Sequence, residues 1–509
     1  MTEPRGPREP PPSTRSIHTI HVATSGDDAN DGLTPQHAVA SVAHALTLVV
    51  DGRGDRVLVR RGDVIELERP LVIDVSGASE DAPFVLGAYG EGDARATLRA
   101  HAEHALALVP RDPARGLSHL RIESIALEEA RSIDTIGEGP SEGVHLVAPD
   151  GSAVTATDVT LEDVSIDGFG VGVNALGTNT AAGISDLTLH HVLVTDIAHA
   201  HNAIGMLFTR VHGLVLDEVL VDGVQREGRA RTVFDHSVYV QTDCDDVTVR
   251  GSIFARAPDG VMQRAGGVLE DNLIVDVAIG ALEGYVFGGA VPTPGGVTFR
   301  VERNVMIDLG DLGPELGRGN GLYVGNTRSG VVRENLIARS RAASPWGSWA
   351  IALMAETNEG NVGVHDVSIT DNVIVDMPTF LRVSGTVLDG VRIEHNTVAL
   401  VAGPTPFLSL DAEVPLAFLA NRGPVSLANA RVQIGRDERA LPAWLTALGA
   451  PSIEVAAPPP TRDVAGYAAS IGAGASTESF LAAARAQSGG AWRPELTGRA
   501  ASAWIRATR

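Results

Sequence analysis

"GVLEDNLIVD" (267–276), "FRVERNVMID" (299–308), "GVVRENLIAR" (330–339), "SITDNVIVD" (368–376) and "RIEHNTVAL" (392–400) are five versions of one phrase. Each alternates apolar and polar residues, reaches an Asn, and resumes with a second short apolar run. Upstream the phrase recurs without the Asn, as "VTLEDVSIDG" (159–168), "LTLHHVLVTD" (187–196), "LVLDEVLVDG" (214–223) and "VTVRGSIFAR" (247–256). Aligned, one station holds Val164, Val192, Val219, Ser252, Asn272, Asn304, Asn335, Asn372 and Asn396, spaced 28, 27, 33, 20, 32, 31, 37 and 24 residues apart. The apolar period is two, which is the period of strands and excludes a helical solenoid.

A second short strand follows each phrase after a Gly-containing turn, as in "HSVYVQT" (236–242), "DGVMQR" (259–264), "NGLYVG" (320–325) and "WAIALMA" (349–355). Intervals of such irregular length do not suit propeller blades. They suit a single-stranded right-handed parallel β-helix, in which each coil wraps once, strands pair with the next coil about 4.8 Å away, and loops of any length leave at the corners. Asn272 to Asn396 then stack, each side-chain amide donating to the carbonyl of its neighbour.

Such a coil exposes unpaired strand edges at both ends. "SGDDANDG" (25–32) and "PQHAVASVAHALTLV" (35–49) read as a turn and an amphipathic helix that plug the first end. Calcium is the alternative reading of that acidic loop. The spacing fails the EF-hand pattern, because with Asp27 first, Ala29 stands third and Ala38 takes the place of the bidentate Glu. No cofactor is therefore expected. "STESFLAAARAQS" (476–488) and "ELTGRAASAWIRAT" (495–508) read as two helices covering the other end, the first capped by Ser476 or Thr477. The organisation expected is a disordered Pro-rich tail over 1–17, a capped β-helix over 18–440, and a linker with a helical unit over 441–509.

Composition excludes several functions. The 509 residues carry 40 basic and 63 acidic side chains, a net charge of −23, which disfavours nucleic acid and anionic membranes. No apolar run approaches the roughly 18 residues a membrane span needs. All the basic residues are arginine, so Lys bases, Schiff bases and P-loop lysines are excluded. Cys244 stands alone, so no intrachain disulfide forms. No signal peptide is visible, and the sequence reads as cytoplasmic unless a leader was removed or the start lies upstream.

The stretches "VATSGDDANDGLTPQHAVASVAHAL" (22–46), "DRVLVRRGDVIEL" (55–67) and "PFVLGAYGEGDARATL" (83–98) resemble the start of pectate-lyase-like right-handed parallel β-helix proteins. The stretch from His236 to Leu282 is similar to a bacterial branch of that superfamily, as is the C-terminal segment from Ser479. The resemblance covers nearly the whole chain and implies the fold. It does not fix the activity, since the superfamily spans lyases, hydrolases, esterases, epimerases and non-catalytic fibres. The branch usually carries an SHG-hydrophobic-Q-x-R segment; here the chain reads "PDGVMQRAG" (258–266), with Asp259 in place of His.

Candidate chemistry follows from stacking. Aligning the second strands places Asn202, His236, Asp259 and Ile279 at one station, so His236 and Asp259 become neighbours on adjacent coils. A carboxylate beside an imidazole orients it for proton transfer. Tyr239, Gln241, Gln263, Arg264 and Glu283 follow on the same strands. Such a patch suits a uronate, with Arg264 clamping the sugar carboxylate and His236 or Tyr239 moving the C5 proton. Trp346 and Trp349 offer a sugar-stacking pair. "HVLVTDIAHAHN" (191–202) offers His191, Asp196, His199 and His201 as a weaker metal set, and none is expected to bind. Paired Asp segments with "GHG", "GxSxG" and phosphate loops are absent, so hydrolysis by two carboxylates is not supported. The expectation is a polysaccharide-active protein with lyase or C5-epimerase chemistry; the alternative is a glycan-binding or structural rod without catalysis.

Overall fold

The computed structural model describes residues 16–112, 114–131, 140–147, 156–177, 183–199, 201–225, 231–310, 318–341, 347–401, 403–424, 429–457 and 462–507. These residues form a right-handed parallel β-helix with three faces. Face one is a continuous sheet running from Thr19–Val22 through Ala156–Glu162 and Asp245–Arg250 to Ala417–Leu419. Face two includes Leu193–Ala198, Leu220–Gln225, Val305–Leu309 and Leu336–Ser340. Face three includes His104–Leu108, Glu142–Val147, Ile204–Thr209, His236–Val240 and Asn320–Gly325. Two 11-residue strands, Ile253–Gln263 and Leu273–Glu283, run unbroken across faces two and three, so their coils carry no loop at that corner.

The corner between faces one and two is where the repeated phrase acts. The residue before each ladder station adopts a left-handed conformation, with φ of 56° at Asp271 and Arg303, 57° at Glu334, 56° at Asp371 and 58° at His395. A non-glycine residue there costs roughly 1–2 kcal/mol; Asp163, His191 and Glu218 adopt the same conformation before Val164, Val192 and Val219, so the turn forms without the ladder, which adds support to it in the Asn coils. From Asn304 onward, each Asn Oδ1 accepts from both the backbone N–H and the Nδ2 of the preceding Asn. For Asn304 and Asn335 these distances are 2.9 and 3.0 Å. Every amide also donates to a backbone carbonyl one coil back, as Asn335 does to Val301 O at 2.8 Å. The ladder is longer than the repeated phrase indicates. Ser252 N–H donates to Asn272 Oδ1 at 2.9 Å at one end, and Asn421 accepts from Asn396 Nδ2 at 3.0 Å at the other.

The first end is plugged by a short helix, α1 (Val42–Leu48), whose Val42 and Ala45 join the core. Carboxylates of the acidic loop are engaged locally. Asp28 accepts from Ala40 N–H, Ser41 N–H and Ser41 Oγ at 2.8–2.9 Å, Asp27 from Ala29 N–H, and Asp31 from Leu33 N–H. The far end departs from expectation. It is closed by an antiparallel hairpin, Arg431–Ile434 with Asp437–Ala440, and by α2 (Leu441–Ala447), whose Leu441, Trp444 and Leu445 are core residues.

The remaining helices, α3 (Val464–Ser470), α4 (Thr477–Arg485) and α5 (Gly498–Arg506), lie along the flank on face two. Ser476 caps α4, as the sequence indicates. Phe480, Leu481 and Ile505 pack on an outward row of Leu193, Leu220, Ile253, Leu273, Val305 and Leu336. That apolar row is the reason the helices lie there, since face two would otherwise expose it to water. Arg485 fastens the contact, bonding Asp196 at 2.8 and 2.9 Å and the buried Asp222 at 2.5 Å.

Candidate functional site

Face three begins with a bend. At Gly205, Gly260, Gly280 and Gly321 the backbone is too crowded for a Cβ; one on Gly260 would meet Gly280 O at 2.3 Å and the core residue Ile274 at 3.1 Å. Because the chain turns there, the residue before the bend points outward although its parity with the buried Val238 or Val261 suggests the reverse. One outward row is therefore Ile204, His236, Asp259, Ile279 and Asn320. The member aligned with His236 one coil back is Ile204, two residues after the expected Asn202. A second outward row, past the bend, is Leu207, Tyr239, Met262, Leu282 and Tyr323.

His236 and Asp259 stand on adjacent strands, with Nδ1 and Oδ2 3.4 Å apart. The His236 and Tyr239 rings are 4.7 Å apart. The Arg264 guanidinium lies over Tyr239 at 5.0 Å and over Phe287 at 5.4 Å, a cation between two π faces. Met262, Leu282, Tyr285, Phe287, Tyr323 and Met354 form an apolar and aromatic floor beside them. The polar groups are nearly enclosed: exposure is 3% at His236, 1% at Asp259 and 5% at Arg264. His236 therefore stands on the outward wall yet is closed off from solvent.

Several of these enclosed atoms have no hydrogen-bond partner: His236 Nδ1, both Asp259 carboxylate oxygens and Arg264 Nε. Burial raises the Tyr239 pKa, against the opposing pull of the Arg264 charge and of a hydrogen bond from Gln241, so its hydroxyl keeps its proton at neutral pH. Burial lowers that of Arg264, while Tyr239 and Asp259 hold it up.

Gln263 and Glu283 do not belong to this patch. They align with Val240 and Val324, whose side chains fill the coil interior, and both are fully buried. Gln263 Nε2 donates to Gly266 O at 2.7 Å, whereas both Glu283 oxygens lack partners. Burial alone raises the Glu283 pKa well above its ordinary value, so this side chain is a neutral acid. Strand parity places them inside: they lie one residue past the outward row of Tyr239, Met262 and Leu282.

Trp349 borders the patch further along, its ring 6.0 Å edge-on from Tyr323. It lines a cleft of about 420 Å³ with Thr379, Arg382, Ser409 and Asp411. Trp346 lies outside the described residues. Reasoning from the sequence missed Asn320, whose Nδ2 donates to the Tyr323 hydroxyl at 2.9 Å, and Tyr323, which burial pushes up to about 12. The signal was present, since "NGLYVG" repeats the strand of "HSVYVQT" and puts Asn320 and Tyr323 at the stations of His236 and Tyr239.

The weaker metal set is dispersed. His191 stacks on Trp492 at 3.9 Å and meets Glu218, and Asp196 pairs with Arg485. The rings of His199 and His201 are 5.6 Å apart.

No protein-family model and no curated protein matches the sequence. Solved structures do. A mannuronic acid specific polysaccharide family 6 lyase from human gut microbiota is 14% identical, with a TM-score of 0.42 over 97% of this chain and 100% of its own. The A-module of the Azotobacter vinelandii mannuronan C-5 epimerase AlgE6 is 12% identical, with a TM-score of 0.42 over 72% and 91%. The DFA-IIIase of Arthrobacter chlorophenolicus A6, without its lid, is 14% identical, with a TM-score of 0.45 over 86% and 99%. The coil register described above makes the architecture of this chain a right-handed parallel β-helix.

Proposed function

We propose that the protein cleaves an anionic, uronate-containing polysaccharide by β-elimination on face three. The observation that carries this is a set of enclosed groups of complementary character on one outward wall: His236 Nδ1 facing Asp259 Oδ2 at 3.4 Å, with Asp259 Oδ1 and Arg264 Nε lacking any hydrogen-bond partner. Native proteins rarely leave such groups unpaired, and where they do a ligand or reaction commonly supplies the partner.

Arg264 pairs with the sugar carboxylate and stabilises the charge that develops there as the C5 proton leaves. His236 takes that proton on Nε2, and Asp259 beside Nδ1 holds the ring and stabilises the imidazolium. The electrons form the C4–C5 double bond, the C4–O4 bond breaks, and O4 takes a proton from the Tyr239 hydroxyl. The phenol is protonated at neutral pH and so has the proton to give. His236 and Tyr239 lie on one wall with rings 4.7 Å apart, so both meet the same face of the sugar. That arrangement favours syn elimination over C5 epimerisation, which returns the proton from the opposite face. The aromatic floor and the cleft at Trp349 supply stacking for flanking sugars.

The test is incubation with a panel of uronate polysaccharides, followed by ultraviolet absorbance of unsaturated products and by C5 exchange in deuterated water. His236→Gln and Tyr239→Phe, folded by circular dichroism, should each lose about 100-fold or more in rate. Arg264→Gln should lose rate and raise KM together. Full activity in the His236 and Tyr239 variants removes the assigned roles. If no glycan is cleaved, exchanged or bound, the protein is a non-catalytic rod.

A further inference from the structure

Three to four coils before His236, face three carries a second cluster that the elimination chemistry does not use. His104 and Glu142 are in register on adjacent strands, and His145 lies three residues beyond Glu142 on the same strand. His145 shares its outward row with Asn174, Leu207 and Tyr239, which places the cluster about 14 Å from Tyr239 along the coil axis. Glu142 is 6% exposed. Its Oε2 faces two imidazole nitrogens, Nδ1 of His145 at 2.5 Å and Nδ1 of His104 at 3.7 Å. Its Oε1 accepts from Asn174 Nδ2 at 2.9 Å. The two rings are stacked, with centroids 4.1 Å apart and planes 17° from parallel. The buried His104 Nδ1 has no hydrogen-bond partner.

We propose that His104, Glu142 and His145 hold a single divalent transition-metal ion of the zinc type. Three donor atoms of this kind converge within 4.8 Å of one another, the sole such convergence of three His, Cys, Asp or Glu side chains among the described residues. Zinc bound at about 2.1 Å to tetrahedral N and O donors sets them about 3.4 Å apart. The two N–O separations, 2.5 and 3.7 Å, straddle that value, and rotation of the stacked rings out of their near-parallel planes turns both nitrogens toward one ion. The ion also resolves the one polar defect of the cluster, the unpartnered His104 nitrogen beside a carboxylate. Two imidazoles and one carboxylate favour zinc, cobalt or nickel over calcium or magnesium, which prefer all-oxygen shells. Asn174 acts behind the ligands, fixing the Glu142 carboxylate and orienting its other oxygen. All four side chains stand on paired strands of the solenoid, so the set is held rigidly. Three protein ligands leave one position for water or a ligand oxygen. This inference is independent of the elimination reaction.

The test uses the full chain stripped of metal, titrated with Zn²⁺ by calorimetry and with Co²⁺ by visible absorption. One equivalent of Zn²⁺ should bind, Co²⁺ should give the d–d bands of a site with nitrogen ligands, and Ca²⁺ should not compete. Glu142→Gln and His145→Asn should each abolish the cobalt bands, and Asn174→Ala should weaken binding about tenfold or more. His212→Ala, which alters a half-exposed His–Asp pair elsewhere, should change nothing. Circular dichroism checks the folding of each variant, and the His145 substitution serves if Glu142→Gln unfolds. Absence of binding overturns the proposal, as do cobalt bands unchanged in both folded variants or displacement of the metal by Ca²⁺.

Discussion

Replacing Asn335 by Leu tests the ladder where it is most regular. The amide of Asn335 donates to Val301 O at 2.8 Å and to Asn372 Oδ1 at 3.0 Å, while its own oxygen accepts from Asn304 N–H at 2.9 Å and Asn304 Nδ2 at 3.0 Å. Leucine removes all four bonds, but not every partner is stranded. Asn372 Oδ1 keeps the backbone N–H of residue 335, and Asn304 Nδ2 keeps Leu269 O at 2.8 Å and Glu302 O at 3.1 Å. Two backbone groups, Val301 C=O and Asn304 N–H, lose these bonds inside a turn that water does not reach. At about 1–3 kcal/mol for each buried group left unpaired, the loss is about 2–6 kcal/mol. Glu334, left-handed at φ 57°, loses part of the support that holds it there. Urea unfolding followed by far-ultraviolet circular dichroism should show a clearly lower midpoint. Hydrogen exchange should quicken first around 301–304 and 334–336, because stability in a coil is mostly a nearest-neighbour property. Asn335→Ser should fall between the two, since Ser252 already occupies this station with an oxygen that accepts from Val219 N–H at 3.1 Å. An unchanged midpoint for the Leu variant would refute the view that the ladder supports the corners.

Three further outcomes are expected. Glu283 is held neutral inside the coil, its folded pKa raised above the unfolded value of 4.5. The folded state then binds the extra proton, so stability falls as pH rises above about 4.5 toward the folded pKa; Glu283→Gln should abolish that decline, and parallel pH profiles of unfolding for variant and parent would argue against a buried neutral acid. Phe480→Ala empties a fully buried position against face two; it should cost about 3–5 kcal/mol and render α3 to α5 protease-sensitive while the coil spectrum persists, and full resistance would show that the helices are held by other contacts. Calcium should leave the melting temperature unchanged through the acidic loop, because Asp27, Asp28 and Asp31 are occupied by backbone N–H groups; a calcium-dependent rise lost in Asp31→Ala would contradict this.

The fold was legible because it repeats. An Asn at one station of five successive phrases has few meanings other than stacking, and the alternation on either side of it fixes which residues face inward. What the repeat does not encode is where non-repeating parts attach. The C-terminal helices were expected at the open end, yet the phrases themselves held the contrary signal. Leu193, Leu220, Ile253, Leu273, Val305 and Leu336 each follow the ladder residue and point outward, and such a row must be covered. Reading only the inward parity hid it. The sixth Asn, Asn421, escaped because its strands shrink to two or three residues near the end of the coil and no longer show alternation.

The site was legible where pairing alone decides and illegible where the backbone bends. His236 and Asp259 needed only the register between neighbouring coils, and they meet. Gln263 and Glu283 needed parity along the strand, and there the bend at Ser237, Gly260 and Gly280 intervenes. Before the bend His236 and Asp259 face outward; at the bend two successive positions face the core; beyond it the alternation restarts from Tyr239, Met262 and Leu282 outward to Gln263 and Glu283 inward. A reader who treats 236 to 240 as one straight strand must misplace one half of the patch, because no single parity puts both His236 and Tyr239 outside. The glycines at 205, 260, 280 and 321 mark that bend, each leaving room for a neighbouring backbone carbonyl at 2.3–2.5 Å from where a Cβ would stand. The bend therefore does chemical work: it brings side chains three residues apart on one strand, His236 and Tyr239, together on a single wall, which straight strand geometry forbids. The same device at Gly143 and Gly172 sets Glu142 beside His145, so both candidate sites on this face owe their existence to one repeated departure from regular strand geometry.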